Sequence, residues 1–402
     1  MKVTIKPSRL SGTVVAPPSK SYSHRLLISA ALTEDTTKIS SLSWSEDISA
    51  TLDCIAALGI PYTKDGSTVT FYGNERKTDG STVFGCRESG STLRFMIPIV
   101  SALCESAVFT GTERLFSRGI GEYEKILPEK NVKITFENGM IKTSGRLASG
   151  KYEINGSISS QFVTGLLFAL PLLDGDSEIS LIPPVESRPY IEMTLDVLNK
   201  AGISVEGKDT NTFYIPGKQK YRLDDMAVEG DWSNAAFFFA LSSIGNDITV
   251  QGLREESVQG DSICKKLFGE LDCDSPVIDL SDCPDLAPIM FAVAAYKHGA
   301  RFTGTHRLKI KESDRASAMA EELGKFGIKV DVSDDEVTVH GGKLIKPQIT
   351  LDGHNDHRIV MALAVLSTVT GGTINGAEAV RKSFPDFFTQ LSSLGAEVQY
   401  EA

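Results

Sequence analysis

Cysteine is scarce in this sequence, and its placement does not suit metal or redox chemistry. Cys54, Cys86, Cys104, Cys264, Cys273 and Cys283 include no C-x-x-C pair and have no histidine at ligand spacing, which excludes zinc and dithiol motifs and leaves reduced, mostly structural thiols. Positive charge is in deficit too: the formal net charge is -11, the wrong sign for a surface that binds nucleic acid or an anionic membrane. Any anion must therefore be held in a local pocket. Long apolar runs are missing as well. The longest, residues 162–173, is interrupted by Gly165 and Pro171 and is too short for a bilayer. Residues 1–14 read as strand and turn, without the basic-then-apolar pattern of a secretory signal. A cytoplasmic protein with no membrane or nucleic-acid partner is expected. With 41% hydrophobic and 23% charged residues over 402 positions, the chain is an ordinary globular one, long enough for two domains with full cores.

What is present is repetition. Six apolar helix candidates, each introduced by polar residues, lie at 23–32, 89–103, 159–172, 232–243, 285–296 and 357–367. Five are followed by one grammar: a short strand, an amphipathic helix, then two strands joined by a polar turn. The sixth stops early at the C-terminus. Gly59, Gly202 and Gly327 stand where the amphipathic helix must end and the chain turn into a strand. At about 67 residues each the repeats are too small to be separate domains, so three per domain is the natural grouping. The first helix of each repeat is apolar nearly all round, which demands burial on all sides. Only its polar opening is left to meet a ligand.

The first opening shows what that means. Pro17-Pro18-Ser19-Lys20-Ser21-Tyr22-Ser23-His24-Arg25 brings two prolines, capping hydroxyls and two cations to a helix start, where free backbone N–H groups and the macrodipole already favour anions. Taken alone it reads better as a capped core helix with solvated charges, and it is the repetition of such openings that turns the reading. Similar openings follow at Glu88, Gly90, Ser91 and Arg94; at Ser159, Ser160 and Gln161; at Asp231, Ser233 and Asn234; at Asp285; and at Asp356, His357 and Arg358. Connecting segments add Arg114, Arg118, Ser187 to Tyr190, Lys311 to Arg315, and Arg381-Lys382. Parallel helices with their N-termini directed at one cleft would hold small phosphates and carboxylates. Gly145 to Lys151 imitates a nucleotide phosphate loop, but Tyr152 stands where Ser or Thr is required and no helix start follows.

Pro18-Ser19-Lys20-Ser21-x-Ser-His-Arg25, Gly90-Ser91-Thr92-Leu93-Arg94, Ser159-Ser160-Gln161-Phe162, Lys311-Glu312-Ser313-Asp314-Arg315, Asn355-Asp356-His357-Arg358 and Lys382-Ser383-Phe384-Pro385-Asp386 resemble, in order, the signature segments of the 3-phosphoshikimate 1-carboxyvinyltransferase (EPSP synthase) family of enolpyruvyl transferases. The resemblance implies an α/β fold of two domains, each of three βαβαββ repeats in an inside-out α/β barrel, with buried parallel helices whose N-termini face the interdomain cleft. The domain boundaries it implies are 14–228 for the first, shikimate 3-phosphate side, and 1–13 plus 229–402 for the second. It further implies transfer of the enolpyruvyl group of phosphoenolpyruvate to the 5-hydroxyl of shikimate 3-phosphate with release of phosphate, a step of aromatic amino acid biosynthesis, by a monomer without metal or organic cofactor.

By the same resemblance Lys20, Arg118, Arg315, Arg358 and Lys382 converge on phosphoenolpyruvate, and Gly90 lets backbone approach it. Ser21, Arg25, Ser159, Ser160, Ser187, Tyr190 and Lys311 surround the other substrate, with Gln161 between the two. Asp285 is the candidate base for the attacking hydroxyl and also a binding residue, Glu312 the candidate acid, and Lys20 and Lys311 assist proton transfer. Each has a plainer reading: Asp285 as an N-cap, Glu312 and Arg315 as a surface ion pair three apart, Ser159 and Ser160 as caps, Lys382 as a solvated charge. Arg94, Arg114, Asp231 and His357 are left undecided between support and structure. Glu88 and Arg307 depart from the family, where Asn and a small polar residue are common. The alternatives are a UDP-N-acetylglucosamine enolpyruvyltransferase, whose reactive loop cysteine is absent from Arg114 to Arg118, and an RNA-phosphate cyclase-like nucleotide-binding protein.

Overall fold

The computed structural model describes residues 1–73 and 82–401. The chain forms two compact units, one of Lys20–Val228 and one of Met1–Ser19 with Glu229–Ala402. Each has its own hydrophobic core. The first change of unit falls after Ser19 and not after residue 13. The strand Ser11–Val15 pairs in parallel with Asp247–Gln251, and the next residues are laced to the returning segment by Asp231 N–H to Pro17 O (2.7 Å) and Ser19 N–H to Glu229 O (2.8 Å). Residues 14–19 therefore stay with the discontinuous unit.

Lys20–Val228 carries three four-stranded sheets with one plan. In the clearest, Lys151–Asn155 runs parallel to Ser177–Ile182, which pairs antiparallel with Thr212–Ile215, itself antiparallel to Glu206–Gly207. A buried helix joins the parallel pair and an amphipathic helix precedes the hairpin: this is βαβαββ. Thr82–Gly85, Ser106–Thr110, Met140–Ser144 and Lys133–Glu137 repeat it. In the third sheet the leading strand is borrowed from the far end of the unit, Met226–Ala227 pairing parallel with Thr36–Ser40.

The other unit closes itself in the same way. The repeat that ends at the C-terminus is completed by the start of the chain: Lys2–Ile5 pairs antiparallel with both Gly372–Asn375 and Val398–Glu401. The sixth repeat is thus whole. It is the fourth that departs from the grammar, having among the described residues only its parallel pair, Ser11–Val15 with Asp247–Gln251, and no hairpin. The fifth is complete, with Val277–Asp279, Gly299–Thr303, Glu336–His340 and Val330–Val332 in order.

The apolar runs form the six core helices Lys20–Leu32, Gly90–Leu103, Ser160–Ala169, Trp232–Ser243, Ala287–Tyr296 and His357–Thr370, nearly all of their side chains buried. Pro171 ends the third helix as a short 3-10 turn. Gly59, Gly202 and Gly327 adopt φ of 75°, 71° and 83°, the left-handed conformation that reverses the chain after each amphipathic helix. The stretch that imitates a phosphate loop runs into the strand Lys151–Asn155 and not a helix, so it cannot cradle phosphate as such loops do.

The helices Gly90–Leu103 and Ser160–Ala169 meet at Gly165. Pro98 has no N–H to give to the carbonyl of Arg94 four residues back, and that oxygen instead accepts the buried Tyr123 hydroxyl at 2.7 Å, which also lies 3.0 Å from Phe162 O. A Cβ on Gly165 would fall directly against the Arg94 carbonyl and the Tyr123 hydroxyl, with Pro98 Cγ at 2.9 Å. Gly165→Ala is expected to lower stability by about 1–3 kcal/mol, read as a lower urea midpoint; an unchanged midpoint would show that the two helices part at no cost.

Candidate active site

In the unit Met1–Ser19 with Glu229–Ala402, charge converges on the buried Arg315 and the half-buried Asp285. Arg315 opens the helix Arg315–Lys325 and is 1% exposed. Its Nε meets Asp356 Oδ2 at 2.9 Å, its Nη1 meets Asp285 Oδ1 at 2.9 Å, and its Nη2 meets Glu312 Oε2 at 2.6 Å. One guanidinium therefore holds three carboxylates. Asp285 in turn receives Lys311 Nζ at 3.2 Å and Arg358 Nη2 at 3.1 Å, and Arg358 Nη1 also donates to the Asp285 carbonyl at 3.1 Å. Asp285 sits inside the short 3-10 turn Pro284–Leu286, and the residue at the cap position of the helix Ala287–Tyr296 is Leu286, so Asp285 is not that helix's N-cap. Asp356 does cap its helix, accepting from Arg358 N at 2.9 Å while also taking the Ser313 hydroxyl at 3.1 Å.

Burial alone would lift the Asp356 carboxyl, but the Arg315 guanidinium outweighs it and holds the group below the ordinary carboxylate range. Burial likewise works against the Arg315 charge, and the fields of Asp356, Glu312 and Asp285 more than restore it. For Lys311 burial wins: its ammonium is lowered from the usual lysine value despite Asp285 beside it, with Arg315 and Arg307 pushing the same way. Lys382 reaches the edge of this cluster, donating at 2.6 Å to the carbonyl of Asn355, the residue before Asp356. Arg307 is buried and donates to Ser281 O at 2.6 Å. The group Glu321, Glu322 and His354 has ligand-like spacing, but Lys325 Nζ already lies 2.6 Å from Glu322 Oε1.

In Lys20–Val228 the predicted residues fall into two hydrogen-bonded chains. Arg25, 2% exposed, spends its guanidinium on Thr194 Oγ1 (2.9 Å), Thr164 Oγ1 (3.4 Å) and the carbonyls of Ser21 (2.8 Å) and Tyr190 (2.9 Å). Burial pulls it down to about 10. Tyr190 N–H returns to Ser187 O at 3.0 Å, and Ser187 holds a left-handed φ of 54°. Lys20 Nζ meets Asp47 Oδ2 at 3.0 Å.

The second chain runs through a residue the sequence left undecided. Arg94 Nη1 donates to Gln161 Oε1 at 2.5 Å, and its Nη2 lies 3.1 Å from Arg118 O and 3.0 Å from Gly119 O. Gln161 Nε2 then reaches Ser91 Oγ at 2.9 Å, and Ser159 Oγ caps the Gln161 N–H at 3.3 Å; Ser160 follows as the first helical residue, buried. A Cβ on Gly90 would lie 2.9–3.0 Å from the guanidinium of Arg118. Gly90, Arg118, Gln161, Ser159 and Ser160 are thereby tied together, and Arg94 is the piece between them. Only its i+4 spacing from Gly90 in a helix start hinted at that.

Cations and hydroxyls gathered at the first turns of buried helices, with carboxylates of matched number in one unit, define an enzyme that moves a group between small polyanions by acid and base chemistry. Residues 4–391 match the model of the EPSP synthase (3-phosphoshikimate 1-carboxyvinyltransferase) family, and the chain belongs to that family. It is 38% identical to a 3-phosphoshikimate 1-carboxyvinyltransferase of Clostridium kluyveri over 98% of both chains, and 40% identical to one of Clostridium acetobutylicum, again over 98% of both. Among solved structures, an EPSP synthase of Acinetobacter baumannii superposes with a TM-score of 0.81 at 24% identity, over 99% of this chain and all of that one, which speaks for the fold. No helix among the described residues is long and apolar enough to cross a membrane.

Removing Arg315 would leave three carboxylates facing one another. Arg315→Ala is expected to cost about 3–5 kcal/mol at pH 7, measured by urea unfolding. The depressed Asp356 contributes its stability above the unfolded carboxyl value of about 3.9 and loses it as pH falls through its folded one. The gap between variant and wild type should therefore narrow below about pH 4; a gap independent of pH would mean the loss is one of packing.

Proposed function

We propose that the chain transfers the enolpyruvyl group of phosphoenolpyruvate to the 5-hydroxyl of shikimate 3-phosphate, releasing phosphate, as a step of aromatic amino acid biosynthesis in the cytoplasm. Family membership over nearly the whole chain supports the reaction, and the observation that carries the chemistry is the pair Asp285 and Glu312 on one guanidinium, 2.9 and 2.6 Å from Arg315. The UDP-N-acetylglucosamine and nucleotide-binding alternatives have no such support.

The reaction has two halves. Glu312, protonated, gives its proton to the methylene carbon of phosphoenolpyruvate, and the neighbouring carbon becomes cation-like. Asp285 takes the proton of the acceptor hydroxyl, whose oxygen forms the new C–O bond. In the second half Glu312 recovers a proton from the new methyl group, the C–O bond to phosphate breaks, and the vinyl ether is left. The hydroxyl proton leaves with phosphate or to water. The phosphate and carboxylate of the donor bring negative charge beside Glu312 and so favour its protonated form. Lys20, Arg118, Arg358 and Lys382 are the proposed ligands of the donor's anionic groups. Ser21, Ser159, Ser160, Gln161, Ser187, Tyr190 and Lys311 are those of shikimate 3-phosphate, with Arg25 acting through Ser21 and Tyr190, whose carbonyls it fixes. Metal and organic cofactor have no part in this scheme, and a monomer suffices for it.

Mixing the purified protein with both substrates should produce phosphate, and UDP-N-acetylglucosamine in place of shikimate 3-phosphate should not. Asp285→Ala and Glu312→Gln are each expected to lower kcat by at least ~100-fold; full activity in either would remove that residue from the scheme. Gly90→Ala pushes a methyl against the Arg118 guanidinium, so KM for phosphoenolpyruvate should rise about tenfold or more, about 1.4 kcal/mol, with KM for shikimate 3-phosphate little changed. A change confined to the acceptor would move Arg118 to the other substrate.

A further inference from the structure

The segment 259–263 has no part in the chemistry above, yet its first residue is held by four side-chain hydrogen bonds. The buried amide of Gln259 accepts from Ser19 Oγ (3.2 Å) and Trp232 N (3.1 Å) and donates to Gly230 O (2.8 Å) and Glu229 Oε1 (2.5 Å). All the hydrogen-bonding capacity of that side chain is used. It fixes the 3-10 turn Gly260–Ile263, and this turn carries Asp261, a carboxyl only 4% exposed. The turn packs on the helix Trp232–Ser243, and so does the turn Pro284–Leu286 that carries Asp285. Two acidic turns thus share one helix, and Asp261 lies in the fields of Asp285, Arg358 and Asp231, with the Ser233 hydroxyl beside it. The thiols of Cys264, in the following helix, and Cys283, ahead of the Asp285 turn, are raised first by burial and next by Asp261. A buried acid in the field of a second acid is an expensive arrangement unless charge there is used.

We propose that Asp261 is a positioning residue for the transfer reaction: as a carboxylate it repels Asp285 and draws on Arg358, keeping Asp285 a competent base although three cations surround it. The role rests on the reaction proposed above. Without a counterweight, Lys311, Arg315 and Arg358 would hold the Asp285 negative charge so firmly that the carboxylate would accept a hydroxyl proton poorly. Asp261 is the group placed to offset them.

Burial first, and then Asp285, push Asp261 up to about 6, with Arg358 opposing. The sign follows. As pH falls through that value Asp261 becomes neutral, its repulsion of Asp285 vanishes, and Asp285 weakens as a base, so the rate falls on the acid side. For stability the same shift runs the other way. A carboxyl raised in the folded state favours folding while protonated, and that contribution is lost as pH rises through the folded value. Ionised Asp261 therefore weakens the fold at pH 8 and serves only the reaction.

The test compares full-length wild type, Asp261→Asn and Asp261→Glu by kcat from pH 5 to 9 with both substrates saturating, and by thermal unfolding at pH 5 and pH 8. Asp261→Asn is expected to be about three- to tenfold slower at pH 7.5, to lack the acid limb near pH 6, and to have at pH 8 a Tm equal to or above wild type. Asp261→Glu should keep the limb. Wild-type rate and pH profile in Asp261→Asn would overturn the proposal, as would loss of activity together with a lower Tm at pH 8, which marks a packing role. The stability arm needs no substrate: the Tm gain from Asp261→Asn at pH 8 should shrink in an Asp285→Asn background, and an undiminished gain would show that the two acids do not interact. A wild-type enzyme inert toward both substrates, with the acids still coupled, would instead fault the assigned reaction and leave Asp261 without a hydroxyl transfer to support.

Discussion

The interaction on which the candidate site depends is the embrace of three carboxylates by the guanidinium of Arg315. Asp285 and Glu312 come from two different connections of the fifth repeat and Asp356 from the sixth, and no two of them share a helix or strand. Buried ions are tolerated only when their charges and hydrogen-bonding positions are matched, and Arg315 offers its planar fork to all three within 2.6–2.9 Å. With Lys311 and Arg358 the cluster balances three cations against three carboxylates. It is neutral as a whole and strongly structured inside. Such an arrangement contributes little net stability beside an apolar core of equal volume, so its presence at the mouths of otherwise apolar helices is better explained by the reaction than by the fold.

The other unit meets the same need by different means. Arg25 is as buried as Arg315 but its hydrogen bonds go to two threonine hydroxyls and two carbonyls, neutral oxygens that do not cancel its charge. The result shows in the opposite shifts: burial draws Arg25 down, whereas the carboxylates around Arg315 raise it. A unit whose cation keeps its charge suits a substrate that brings only anions. In the proposed reaction the unit that also moves protons needs carboxylates, and hence the counter-cations that make them bearable.

Much of this was legible in the residues. The six core helices announce themselves by being apolar all round, the glycines after the amphipathic helices by a backbone conformation that other residues adopt only under strain, and the motifs by their joint order along the chain. What was not legible is long-range. Lys2–Ile5 closes the last sheet and Met226–Ala227 leads the first of its unit, pairings that no local pattern can specify because a strand's sequence records which face is buried but not its neighbour. The missing hairpin of the fourth repeat was hidden by the polar segment that replaces it, and the boundary after Ser19 by a parallel pairing with a strand more than two hundred residues away. Arg94 and Arg25 illustrate a further gap. Sequence places a cation at a helix start, but whether its fork faces a ligand or holds Gln161, Ser21 and Tyr190 in place is decided by side-chain direction alone.

The same cluster that protects the acids also restrains them. Asp285 is met by three cations near 3 Å, and each favours the ionised carboxylate over the protonated one. A donor bearing phosphate and carboxylate competes for those cations. Every guanidinium or ammonium hydrogen bond transferred from Asp285 to the donor leaves the carboxylate more basic and adds negative potential around Glu312, favouring its proton. In the proposed scheme, binding of the donor thus makes Asp285 a better base and Glu312 a readier acid. In the proposed scheme proton transfer is tied to occupancy by electrostatics, and the near balance of charge around Asp285 and Glu312 is what lets a bound anion shift both.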